Sequence, residues 1–188
     1  MQRTCRYQWS TGMTTPDVIV IRGAPGSGKS VTAKSLAARF GTGARIEVDT
    51  LRAMIIPVEW TNQTEHINVL SLATGLVTGF LGFGHRPVIV VDTFSGDKLK
   101  GFMTDLMKLQ AGIEVLKFAL RPDQKVLRSR VEGRPDDRYK DLSVCEKLND
   151  DIAKHLLPDE KLLDNSALTP EETVDVILGL APIPPVQT

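Results

Sequence analysis

Cysteine is scarce. Cys5 and Cys145 are the only two in 188 residues, far apart and without metal-ligand partners at x2 or x4 spacing. They read as free thiols in a reducing compartment, with cytoplasm the expected location. Net charge is missing too, 23 Lys and Arg standing against 23 Asp and Glu. No global field therefore draws the chain to nucleic acid or to an anionic membrane, although a local basic patch stays open. Aromatics make up only 5% of residues, a thin supply for base-stacking platforms. No apolar run approaches the roughly 18 residues of a membrane span, so no membrane partner is expected. The opening MQRTCRYQWSTG lacks the apolar stretch of a signal peptide, and residues 1–15 read as a disordered extension.

What is present is an ordinary globular composition, 41% hydrophobic and 24% charged, over a length that fits one domain with a sizeable core. Residues 17–30, DVIVIRGAPGSGKS, organise the rest. Val18, Ile19, Val20 and Ile21 form a β-branched run of the kind buried on both faces of a parallel sheet. Gly23, Gly28, Lys29 and Ser30 then satisfy G-x-x-x-x-G-K-[ST]. In such a loop backbone N–H groups cradle phosphates, the lysine reaches the terminal phosphates and the hydroxyl binds magnesium. Glycine is needed where a Cβ would block the anion. The nucleotide-binding candidates are thus Gly23, Ala24, Pro25, Gly26, Ser27, Gly28, Lys29 and Ser30. Ser30 opens a helix in which Val31, Ala33, Leu36, Ala37 and Phe40 keep helical spacing until Gly41.

Downstream, strand and helix alternate, which predicts an α/β domain with a mainly parallel sheet. A second strand is expected over 44–49, placing Glu47 and Asp49 on one face and Asp49 at the carboxyl end, where open α/β sheets bind ligands. Asp49 equally suits the cap of a short helix over 51–56. Trp60, in a loop over 58–64, and His66, in a helix over 65–83, are candidates for an acceptor pocket, against a surface-packed Trp and a solvated His. A third strand over 87–92 ends in Asp92, which suits the magnesium site or a turn cap. Ser95 is the expected cap of a helix to 110. A fourth strand spans 113–120 and a helix spans 122–132. Arg121, Lys125, Arg128, Arg130, Arg134, Arg138 and Lys140 then crowd one polar stretch. It is either a solvated face or a lid, about 133–142, that lays arginines on a phosphoryl group. Ser143 with Glu146, and Thr169 with Glu172, read as capping boxes on either side of a fifth strand at 161–165. The Pro-rich tail 181–188 is expected to be disordered.

GAPGSGKS at 23–30, VDTLR at 48–52, VIVVDT at 88–93, and Leu127, Arg130 and Arg134 in L-x-x-R-x-x-x-R together resemble the P-loop kinase group. That group includes phage polynucleotide kinase, zeta toxin and chloramphenicol phosphotransferase, and its small members are often labelled AAA family ATPases. LDNSALTPEE at 163–172 resembles the fifth strand, base loop and last helix of these kinases. The resemblance covers about 17–180, and the kinase domain is expected over 16–180. It implies a three-layer α/β fold with a five-stranded parallel sheet in the order 2-3-1-4-5, helices on both faces and an arginine-rich lid. It further implies transfer of the ATP γ-phosphoryl group to a hydroxyl. On this likeness Asp49 is the general base, Arg52 contacts the acceptor, Lys29 and Ser30 serve phosphate and magnesium, Asp92 is a magnesium-associated acid, and Arg130 and Arg134 are lid arginines. Residues 56–66 match no member, so the acceptor stays open between a small molecule and a nucleotide-like compound. A polynucleotide 5'-hydroxyl kinase is a further reading, disfavoured by the few aromatics. A nucleotide-dependent switch or ATPase is another, and the chain has no N-K-x-D element of a GTPase switch.

Overall fold

A computed structural model describes residues 15–135 and 139–180. The expected tail, nearly all of the expected extension and the middle of the expected lid lie outside the described residues. Five strands, β1 (Val18–Gly23), β2 (Ala44–Glu47), β3 (Val88–Asp92), β4 (Val115–Leu120) and β5 (Lys161–Leu163), form one sheet in the order β2-β3-β1-β4-β5. Every pairing is parallel. The helices are α1 (Lys29–Ala37), α2 (Val48–Arg52), α3 (Gln63–Gly82), α4 (Lys98–Leu109), α5 (Gln124–Glu132), α6 (Leu142–Lys154) and α7 (Pro170–Leu180).

The sheet is buried on both faces because its central strands are continuous apolar runs whose side chains alternate outward. Val18, Val20, Val88 and Val90 pack against Val69, Ala73 and Val77 of α3 and Leu99, Phe102 and Leu106 of α4. Ile19, Ile21, Ile89 and Val91 face Leu36 of α1 and Val174 and Ile177 of α7. Each fully buried aliphatic side chain contributes about 1.5–3 kcal/mol, so the two layers fix the register of β1 against β3 and β4. A third cluster joins Ala24 of the glycine-rich loop to Leu127 and Val131 of α5 and Cys145 and Ile152 of α6. No helix among the described residues is long and apolar enough to cross a membrane.

Several local starts and stops depart from the sequence reading, and four of these departures concern the site, the caps or the sheet edge. β2 ends at Glu47, and α2 begins at Val48, three residues earlier than expected, which puts Asp49 in a helix. Ser95 does not cap α4; Asp97 holds the N-cap position without a side-chain bond, and Ser95 Oγ accepts from Lys98 instead. Asp141, two residues ahead of Ser143, takes the Val144 amide as N-cap of α6, so the Ser143–Glu146 box does not form. Asp caps as well as Ser and here stands where the helix starts. β5 is three residues long, short of the expected five. The second box does form: Thr169 N–H donates to Glu172, and Glu172 N–H donates to Thr169 Oγ1.

The sequence reading passed over Arg22, which is fully buried at the end of β1. Its guanidinium donates to both carboxylate oxygens of Glu160 and to the carbonyls of Phe94 and His155.

Candidate functional site

The loop between β1 and α1 is shaped by close backbone approach. A Cβ on Gly23 would lie 2.2 Å from Ser27 Oγ, and one on Gly26 would lie 2.5 Å from Val131 Cγ2. Gly26 and Gly28 hold φ of 91° and 92°, the left-handed region that glycine enters at least strain. Gly28 is also the N-cap of α1 and supplies no side-chain cap. The first-turn amides of a helix have no intrahelical acceptor, so this uncapped end presents N–H groups and a positive dipole to an anion. Ala24 and Ser27 are buried, and Ser27 Oγ has no hydrogen-bond partner among the described residues.

Lys29 is buried and makes no hydrogen bond or ion pair among the described residues. Burial pulls its pKa below the usual lysine value, against the opposing charges of Asp49 and Asp92. An enclosed ammonium without a partner, beside a loop packed too tightly at Gly23 and Gly26 to admit a Cβ, suits nucleotide phosphates. Ser30 follows on the first turn of α1. Among the described residues no cluster of three or more His, Cys, Asp or Glu side chains is gathered for a metal. The Ser30 hydroxyl, at the N-terminal turn of α1 beside the phosphate cradle, is a single oxygen donor of the kind magnesium takes together with substrate phosphates.

Asp49 sits in the first turn of α2, and Glu47, not Asp49, occupies the N-cap position. The capping alternative for Asp49 is therefore overturned. Its side chain is open to solvent and makes no hydrogen bond among the described residues. Partial desolvation and the neighbouring Asp92 charge raise its pKa above the ordinary carboxylate value, with Lys29, His66 and Arg52 pulling the other way. Glu47 does not share its surroundings, because it is ion-paired with Arg45 on the outer strand.

Asp92 ends β3 opposite Arg22 in the register and is buried. His66 Nε2 lies 3.1 Å from each of its oxygens, and Oδ2 accepts from the Phe94 amide at 2.8 Å. Burial alone would raise the Asp92 pKa, but the His66 hydrogen bond and charge and the Phe94 amide hold it below the usual range. His66 is accordingly an enclosed partner of Asp92, which corrects the solvated reading of that residue. Asp92 also has the turn-capping bond weighed from sequence, so its oxygens are already engaged.

Arg52 is buried and turned to the 59–60 loop: Nη2 donates to the carbonyls of Glu59 and Trp60, and the guanidinium stands 4.9 Å from the Trp60 ring centroid. Its Nε has no partner among the described residues. Trp60 keeps about half its surface exposed. The two arginines of the polar stretch behave differently. Arg134 Nη1 donates to the Tyr139 carbonyl at 2.9 Å, and its charge lowers the pKa of Lys29. Arg130 Nη2 donates to the Asn165 carbonyl, while its Nη1 is enclosed without a partner among the described residues. Asn165 was missed as a site residue; only its place in the LDNS stretch hinted at it.

Residues 18–156 match the model of the family described as AAA domain. No curated protein matches the chain. Among solved structures, the Deinococcus radiodurans tunicamycin resistance protein is similar at 18% identity and a TM-score of 0.65, covering 89% of this chain and 99% of that one. A gluconokinase from Sinorhizobium meliloti 1021 is similar at 20% identity and a TM-score of 0.61, over 88% of this chain and 91% of its own. The Mycobacterium tuberculosis APS kinase in complex with AMPPNP and APS is similar at 14% identity and a TM-score of 0.64, over 88% and 97%. At these identities the likeness is one of fold, and the fold is that of the P-loop kinases.

Proposed function

Because the chain belongs to the AAA domain family and has the P-loop kinase fold, we propose that it is an ATP-dependent kinase acting on a hydroxyl of a small molecule or nucleotide-like compound. The observation that carries this reading is the pairing of an enclosed, unpartnered Lys29 with an unbonded carboxylate, Asp49, close enough for their charges to shift each other. The loop and first-turn amides would take the phosphates, and Lys29 would neutralise their terminal charge. Asp49 would accept the acceptor's proton as its oxygen bonds to the γ-phosphorus and the bond to the β-phosphate oxygen breaks, releasing ADP. Its raised pKa brings it nearer the working pH of a base, and its exposure leaves room for an acceptor.

Ser30, together with Asp92 acting through water, would hold magnesium, which supplies charge neutralisation on the phosphates when bound. Asp92 has this indirect role because His66 and Phe94 already occupy its oxygens. Arg134, whose charge reaches Lys29, would add positive charge where the phosphoryl group travels. Arg52 would serve the acceptor side by holding the loop that presents Trp60. A small acceptor is favoured because the APS kinase and gluconokinase neighbours are named for small-molecule substrates.

The test is incubation with ATP, magnesium and a panel of hydroxyl acceptors that includes a 5'-hydroxyl oligonucleotide, followed by phosphorus NMR. A new phosphomonoester on a small acceptor supports the proposal. A phosphorylated oligonucleotide moves the reading to a polynucleotide kinase, and inorganic phosphate alone moves it to an ATPase.

A further inference from the structure

Asn165 stands just past β5, buried, and faces two elements at once. Its Nδ2 donates to the Ser27 carbonyl at 2.9 Å, across 138 residues of sequence. Its own backbone carbonyl accepts from Arg130 Nη2 at 2.9 Å. Ser27 N–H is meanwhile bonded to the Ala24 carbonyl at 3.0 Å, so the backbone of Ser27 is held on both sides.

The direction of these bonds matters. In a planar trans peptide the C=O of one residue and the N–H of the next point opposite ways. Tying the Ser27 carbonyl to Asn165 therefore aims the Gly28 N–H away from Asn165, and that amide has no acceptor among the described residues. A turn with glycine at 23, 26 and 28 has wide conformational freedom of its own, so a fixed shape needs restraint from outside. Val131 supplies one such wall, 2.5 Å from where a Gly26 Cβ would stand, and Asn165 Nδ2 is the nearest atom to a Gly28 Cβ position, at 3.5 Å.

We propose that Asn165 is a positioning residue that sets the shape of the phosphate loop, and that Arg130 acts on nucleotide binding through Asn165 and not by touching the transferring phosphoryl group. The ligand held by the loop rests on the kinase reading; the clamp itself belongs to the fold without ligand. Arg130 Nη1, still without an acceptor, is the feature that would favour direct contact with nucleotide, and the experiment is built to separate the two.

The full chain is compared with Asn165→Ala, Arg130→Ala and the double variant. Asn165→Asp, which keeps the volume but cannot donate, serves as a second probe should Asn165→Ala fold poorly. Hydrogen exchange of the Ser27 amide, which is bonded to the Ala24 carbonyl, should speed up without nucleotide about threefold to tenfold in each Asn165 variant, the range for loss of one hydrogen bond. ATP affinity by calorimetry should fall about as much in both Ala variants while adenosine binding holds, and the double variant should be no worse than Asn165→Ala. In turnover, KM for ATP should rise more than kcat falls. Unchanged exchange overturns the clamp. An equal loss of adenosine binding reassigns Asn165 to a base contact and overturns it as well. Multiplying effects, with Arg130→Ala lowering kcat at saturating ATP, overturn the role given to Arg130. Should the wild-type chain bind no ATP, the kinase reading falls and the exchange result alone decides the clamp.

Discussion

Arg22 and Glu160 meet with neither side chain exposed, Nε and Nη2 of the arginine donating to the two carboxylate oxygens at 2.6 and 2.8 Å. The same guanidinium holds the Phe94 and His155 carbonyls at 2.8 Å each, so one side chain ties the strand before the phosphate loop to the turn after β3 and the approach to β5. Glu160→Ala leaves that charge buried and unpaired. It should destabilise the fold by about 3–5 kcal/mol, as other broken buried pairs do. Urea denaturation at neutral pH measures it, and a loss well under 1 kcal/mol would show that water replaces the carboxylate.

Lys29→Met should abolish nucleotide turnover, because the methionine keeps the stem and removes the charge that meets the phosphates. The same change should raise the melting temperature of the protein without ligand. Burial lowers the folded-state pKa of Lys29 below its ordinary 10.5. The charged form is therefore disfavoured by folding at all pH values below the folded pKa, and the penalty fades as pH climbs from there through 10.5. Thermal melts at pH 7 and near pH 10.5 should show the variant's advantage shrinking; a variant less stable at pH 7 would count against an unpaired ammonium.

Asp49→Asn should cut phosphoryl transfer by about a hundredfold or more while ATP affinity is kept, since an amide is a very poor base. The sign of its stability effect follows from a pKa raised above the ordinary 3.8. Ionised Asp49 weakens the fold above its folded pKa, and the penalty disappears as pH falls through 3.8. The variant should melt slightly higher at pH 7 and equally near pH 3, and the acid limb of kcat/KM for the wild type should lie above pH 3.8. Near-wild-type transfer by Asp49→Asn would move the base elsewhere.

Arg134→Ala should lower kcat more than it weakens ATP binding, by about tenfold or more, if its charge acts mainly as charge develops on the phosphoryl group. Steady-state kinetics paired with calorimetry read the two effects. Unchanged kcat would return Arg134 to a surface role, holding the Tyr139 carbonyl.

Much of this was readable in the sequence because it rests on local pattern. The β-branched runs at 18–21 and 88–91 announce buried parallel strands, and the spacing of Gly23, Gly28, Lys29 and Ser30 announces the loop. The strand order followed from resemblance and is the observed one. What could not be read depends on partners distant in sequence. Arg22 at a strand end reads as a surface residue until Glu160 arrives from 138 positions away. His66 was open between an acceptor pocket and solvent because its partner, Asp92, lies in another element. Asp49 was placed one element too early, since whether 48–49 continues a strand or starts a helix turns on packing of Val48 in the core and not on alternation. Ser143 lost its cap to Asp141 because two good capping residues stood within one turn.

The hydrogen bond from Asn165 to Ser27 also bears on synthesis of the chain. The phosphate loop at residues 23–30 precedes all of its walls in the chain, since these come from Leu120, Val131 and Asn165. Contacts this remote in sequence close late, after long loops have been ordered. During elongation on a ribosome the loop's residues emerge ahead of these walls, and the nucleotide cradle takes shape only when β4, α5 and the stretch after β5 have followed. Nascent chains arrested ahead of Asn165 should therefore hold ATP poorly although they contain the entire glycine-rich motif, and ATP added during translation should favour folding only in its last stages.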